Sequence, residues 1–122
     1  MTADDWRPQA PLAVLAGRAR LLAAARAFFA ARGVLEVETP ALVGDPVTDP
    51  QLRNIAVLLD GGARRAFLAT SPEYHMKRLL AAGAPDIYQL GRAWRDGAPG
   101  RHHAPAGTLL EGYRRGYGLD EL

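Results

Sequence analysis

The sequence predicts an α+β fold in which an antiparallel sheet is flanked by helices. Three observations predict it. Apolar residues recur at helical spacing in one segment near the N-terminus. Two pairs of strand-like segments are joined by turn or loop signals, as hairpins require. Between those pairs lies Thr70–Leu80, Thr-Ser-Pro-Glu-Tyr-His-Met-Lys-Arg-Leu-Leu, which reads as a strand end turning sharply into a helix.

The composition bounds what such a fold can be. A chain of 122 residues holds one small domain with a real core rather than two. With 48% hydrophobic and 23% charged residues it is globular, not disordered. It has no cysteine, which excludes a disulfide framework and a thiolate metal site. Three histidines without spaced partners argue against zinc, and no metal ligands are assigned. The start, Met1–Asp5, is acidic and polar, unlike a secretory signal. No apolar run approaches the ~18 residues of a membrane span. The expectation is a soluble, cytoplasmic protein that does not engage a membrane. The net charge of +2 is too small to argue for nucleic acid.

Residues 1–16 are expected to form an irregular leader with Pro8 and Pro11. Gly17–Arg32 is the clearest helix: Leu21, Leu22, Ala25, Phe28 and Phe29 form an apolar stripe, and Gly33 suits its C-terminal end. Val34–Thr39 alternates and predicts a strand with one polar face, stopped by Pro40. Gly44–Pro50 reads as a loop. Asn54–Leu59 and Arg65–Ala69 predict a hairpin about Asp60-Gly61-Gly62. In the helix that follows, Ser71 is expected at the N-cap, Pro72 at the first helical position and Glu73 in the first turn. A carboxylate there is favoured by the helix dipole. Gly83 ends this helix. Ile87–Arg95 is a strand with Tyr88, Leu90 and Trp94 on one face. Asp96–Gly107 is a long loop, and Thr108–Arg114 returns as a strand with Leu109, Glu111 and Tyr113 on one side.

This order of elements resembles the start of a class II aminoacyl-tRNA synthetase catalytic domain. Arg32–Pro40 is similar to motif 1 of that superfamily, and the Ile87–Arg114 hairpin to motif 2. The likeness is strongest to the lysine branch, and within it to stand-alone synthetase-like ligases that attach β-lysine to a lysine of translation elongation factor P. Phe28-Phe29-Ala30 leading into Arg32–Pro40, the run Thr70–Leu80, and Gly100-Arg101 with His103 and Pro105 before Thr108 carry it. It covers most of residues 12–117. It implies that residues 17–122 are the N-terminal part of a catalytic domain, with the sheet incomplete.

The resemblance implies ATP-dependent activation of lysine or β-lysine as an aminoacyl-adenylate, then acyl transfer to an amine of the protein substrate, with ATP and Mg2+ required. It places Arg95 as the catalytic arginine, bridging the substrate carboxylate and the α-phosphate. A planar guanidinium suits that task better than an ammonium. It places Ser71, Glu73, Glu111 and Tyr113 around the amino acid, with Glu73 accepting from its backbone-type amine and Tyr113 reaching its side-chain ammonium. Arg95, Asp96, Gly97, Arg101, His103 and Ala104 fall on the ATP side. There the chain departs from the family pattern. Gly97 and Ala98 stand where acidic residues are usual, Ala104 where an asparagine is usual, and Pro105-Ala106-Gly107 where a Pro-Glu-Phe run would bring an adenine-stacking aromatic.

Only about 16 residues precede the motif 1 helix, which predicts the factor-modifying ligase type rather than a lysyl-tRNA synthetase with its OB-fold, and makes tRNA an improbable partner. Motif 3 would lie beyond Leu122. The chain is therefore expected to be truncated or degenerate, with an exposed sheet edge. Poor solubility alone, or a homodimer through the motif 1 helix, is the further expectation. A lysyl-tRNA synthetase fragment and a non-enzymatic paralogue keeping the amino-acid pocket are the alternative readings.

Overall fold

The computed structural model describes residues 6–97 and 104–121. The chain divides into two compact units, Met1–Gly33 and Val34–Leu122. The first contains helix α1, Leu12–Ala30. It begins earlier than the Gly17 expected, because Pro11 takes φ −59° and ψ 146° and its carbonyl accepts the Val14 and Leu15 N–H groups. A proline just before a helix has its φ already set and loses no intrahelical bond. The expected apolar stripe is only partly covered. Leu22, Ala25 and Phe29 are half-buried, whereas Leu21 and Phe28 are exposed, and no residue of α1 is fully buried. Gly33, at φ +67°, ends this unit in a conformation that favours glycine.

The second unit is α+β, with two three-stranded sheets and one helix. The first sheet runs β1 (Leu35–Glu36), β5 (Ile87–Trp94), β6 (Ala106–Tyr113). The β5–β6 pair is an antiparallel hairpin in the register Ile87↔Tyr113 through Trp94↔Ala106. β1 pairs with β5 in parallel, so this sheet is mixed rather than wholly antiparallel. The second sheet, order β2 (Leu42–Val43), β4 (Arg64–Leu68), β3 (Ala56–Leu59), is antiparallel throughout. The β3–β4 hairpin turns at Asp60–Gly62, where Asp60, Gly61 and Gly62 all have positive φ. Asp tolerates that region better than most side chains, so Asp-Gly-Gly is the chemistry such a turn demands.

The structure departs from the expected elements in three places. The first strand is shorter than the expected Val34–Thr39: its ladder covers only Leu35–Glu36, and Leu35 is exposed while Val34 is buried. Pro40 and the departure of Thr39 to bond the Gln89 side chain limit it. β2, not anticipated, is a two-residue strand on the edge of β4, too short to carry an alternation pattern. In β5, Tyr88, Leu90 and Trp94 share one face by the strand period, as expected, and both faces hold buried residues, Ile87, Gln89 and Ala93 on one and Tyr88 on the other. A central strand is covered on both faces, so alternation cannot rank them. The long loop of the second hairpin is also shorter than expected, since β6 starts at Ala106 and the Arg95 N–H donates to the Pro105 carbonyl at 2.9 Å.

Helix α2, Glu73–Ala81, supplies Met76 to the core, where it is fully buried, as is Ile87 of β5. The end of α2 is a complete Schellman motif. The Gly83 N–H donates to the Leu80 carbonyl and the Ala84 N–H to Leu79, both at 3.0 Å, with Gly83 at φ +94°. Two further bonds tie down the end of β5, one to the residue after β4 and one to the segment before β3. The Trp94 N–H donates to the Ala69 carbonyl at 3.0 Å, and the Asp96 N–H to Arg53 at 2.9 Å. They bring the end of β5 to the start of α2. No described helix is long and apolar enough to cross a membrane.

Candidate functional site

The site is built where β4 runs into α2 and where the β5–β6 hairpin comes alongside. The start of α2 differs in detail from the expected cap. Pro72, with φ −82° and ψ −1°, occupies the cap position, and its carbonyl accepts the Met76 N–H at 2.9 Å. Ser71 therefore stands one residue earlier than expected. Its hydroxyl nonetheless accepts a bond from the Glu73 N–H, at 3.3 Å. That hydroxyl partners one N–H that the helix start leaves open, and it holds Ser71 and Glu73 in a fixed relation.

Glu73 lies in the first turn and is half-exposed. Its Oε1 is 2.6 Å from Lys77 Nζ, one turn along the same helix face. The pairing raises the Lys77 pKa, chiefly through this hydrogen bond and then the Glu73 charge, with a smaller contribution from Glu111. On β6, the Tyr113 hydroxyl donates to Glu111 Oε1 at 2.7 Å. Both side chains are on the half-buried face, as the alternation predicts. Burial pushes the Tyr113 phenol well above its ordinary pKa, and the bond to Glu111 and the charges of Glu111 and Glu73 push it the same way. Tyr113 thus remains a neutral donor at any working pH. Glu73, Lys77, Glu111 and Tyr113 form one electrostatic group: two carboxylates, a phenol and an ammonium.

A cleft of about 170 Å3 opens on the other side of the α2 start. Thr70, Ser71, Glu73 and His75 form one wall, and Asp45, Asp49 and Asn54 of the preceding loop form the other. Asn54 pins that loop by accepting the Val47 N–H and donating to the Val47 carbonyl, both at 3.0 Å. Glu73 borders both the cleft and the Glu111–Tyr113 group.

Arg95 follows β5 and is exposed, with its Nε directed at the Thr70 carbonyl at 3.4 Å. This long contact leaves the guanidinium beside the α2 start. Asp96 is held through its N–H to the Arg53 carbonyl. Gly97 and Ala104 are exposed and offer no polar side chain. Arg101 and His103 lie outside the described residues, as does Ala98. The structure thus gathers Ser71, Glu73, Glu111 and Tyr113, with Arg95 anchored to Thr70. Among the described residues, no three His, Asp or Glu side chains converge as a metal site. Lys77 and the loop acids Asp45 and Asp49 were not anticipated. Lys77 had a legible signal, the Glu-x-x-x-Lys spacing on a helix, whereas nothing local to Asp45 or Asp49 announces the cleft.

Residues 3–115 match the family described as tRNA synthetases class II (D, K and N). Curated relatives include the elongation factor P–(R)-β-lysine ligases of Yersinia enterocolitica, 51% identical over 97% of this chain, and Photorhabdus laumondii, 52% identical over the same share. That of Yersinia pestis is 50% identical. The chain spans 38% of the length of each of these relatives.

Proposed function

This chain belongs to the class II tRNA synthetase family of the D, K and N type, and from that membership we propose that it carries the amino-acid-binding half of a ligase site for lysine or β-lysine. The observation that supports the reading is that Tyr113 donates to Glu111 within the field of Glu73, while Arg95 reaches the Thr70 carbonyl just ahead of Ser71. A diamino acid has two ammonium groups and one carboxylate. Glu73 accepts from its backbone-type ammonium, with Ser71 keeping Glu73 in place. Tyr113, with Glu111 bonded to it, meets the side-chain ammonium. Arg95 takes the carboxylate and brings it toward an α-phosphate, a bidentate task for which a guanidinium is built. The names of the relatives support ligation of (R)-β-lysine to elongation factor P as the activity of the whole enzyme, and the family supports ATP as its co-substrate.

The ATP side is thin in the described residues. Gly97 and Ala104 have no group to bond a nucleotide, and Pro105-Ala106-Gly107 provides no aromatic to stack on adenine. The reading therefore separates two affinities. Isothermal titration of this chain is expected to show binding of L-lysine or β-lysine, weakened about tenfold or more in Glu73→Gln, the loss of a charge-assisted hydrogen bond. ATP is expected to bind weakly or not at all. Absence of amino-acid binding, or equal affinity in Glu73→Gln, overturns the proposal. Micromolar ATP binding would restore a complete nucleotide site to this chain.

A further inference from the structure

We infer that Lys77 is a built-in occupant of the ammonium position at Glu73, and that it sets the affinity and selectivity of the site because an incoming amino-acid ammonium must displace it. The inference rests on the reading of Glu73 just given. Lys77 Nζ already makes, at 2.6 Å to Oε1, the contact that a ligand ammonium would make with this carboxylate. Both side chains are about half-exposed, 57% for Lys77 and 44% for Glu73, so no packing locks the pair and solvent can receive the displaced ammonium. The Lys77 charge also feels Glu111, the second carboxylate of the group. It therefore lies in the field that would draw a ligand in, and its own charge opposes one.

The choice of residue supports this. The chain has fourteen arginines and one lysine, Lys77. An arginine here would grip both oxygens of Glu73 through its planar fork, whereas a lysine makes a single-point contact on a flexible stem. In a chain that otherwise uses arginine for positive charge, the displaceable cation sits beside the candidate ammonium acceptor. An ordinary helix-surface ion pair has the same geometry and contributes little to stability. The two roles differ in what a ligand does to Lys77.

Because Lys77 is the sole lysine, lysine labelled with 13C and 15N at its ε position gives one NMR signal from the chain. Titration with unlabelled L-lysine is expected to move that signal toward the position of an unpaired side chain. Nα-acetyl-L-lysine, which lacks the backbone ammonium, is expected to leave it in place. In Lys77→Met, L-lysine should bind about two- to fivefold tighter, as removal of a weak exposed ion pair and its repulsion allows. Lys77→Arg should return the affinity to the parent value or below. Circular dichroism melting confirms that each variant is folded. Unchanged affinity in Lys77→Met with an unmoved Lys77 signal, while Glu73→Gln still loses binding, shows a surface pair and overturns the inference alone. Weaker binding in Lys77→Met also overturns it, since Lys77 would then be positioning Glu73. No L-lysine binding by the parent chain overturns the reading of Glu73 and this inference with it.

Discussion

Asp86 shows how single residues hold the frame of the site. It stands just before β5 and accepts two bonds, from the Arg115 N–H at 2.8 Å and from Arg114 Nε at 2.7 Å. Both clamp the end of β6 to the start of β5, beneath Tyr113. They hold the Asp86 carboxyl below the ordinary aspartate range, the backbone bond contributing most and the Arg114 bond next. A folded-state pKa below the unfolded one makes the ionised group stabilising above the unfolded value, and the stabilisation is lost as pH falls through the lowered folded value. Asp86→Asn should therefore melt at a lower temperature at neutral pH, and its gap to the parent should close as the solution is taken below the carboxylate range. Melting midpoints measured from neutral to acid pH check this, and a gap that stays constant would assign the loss to packing rather than charge. None of these contacts is visible in the sequence, because Asp86 and Arg114 meet only when the hairpin closes. Ser71, Glu73, Arg95, Glu111 and Tyr113 were picked out by the family resemblance, whose order is linear in the chain. Where Ser71 stands in the cap was not, since only backbone geometry separates the cap from the residue before it.

At the scale of elements, local chemistry decided most of what could be read. The ends of both helices, the Asp-Gly-Gly turn and the alternation of β6 are each written in neighbouring residues. What escaped depends on distant partners: the short β1 and β2. The buried bond from the Thr39 N–H to Gln89 Oε1, 2.8 Å, joins the segment after β1 to the middle of β5 across 50 residues of sequence. The legible signals can be tested by their cost. Gly83 closes α2 at φ +94°, and a Cβ there would meet no atom within 4 Å. The penalty for Gly83→Ala is therefore one of backbone conformation alone, expected at about 1–2 kcal/mol in urea denaturation. Gly44 is equally open but lacks a positive φ, so Gly44→Ala should be neutral or stabilise by about 0.4–1 kcal/mol through the unfolded state. Equal effects at the two sites would mean that the Schellman geometry does not hold the helix end.

For the molecule as a whole, the question is what the α1 unit does. Leu21 is 69% exposed and Phe28 50% exposed on a helix with no charged first or last turn. Arg32 stacks over Phe28 with its guanidinium carbon 3.5 Å from the ring centroid, which shields one edge of that surface and leaves Leu21 open. An apolar helix face of this kind is stabilised by removal from water. The expected homodimer through the motif 1 helix would supply that cover with a second copy of the chain. Leu21→Glu places a charge on the open part of the face without disturbing a buried contact. Sedimentation velocity is expected to show the parent chain self-associating with rising concentration and Leu21→Glu remaining monomeric, with the far-ultraviolet circular dichroism of the two unchanged. A parent chain that stays monomeric at every concentration would remove the dimer. A Leu21→Glu chain that still associates would move the contact elsewhere, with the outer edge of β6 as the next surface to test.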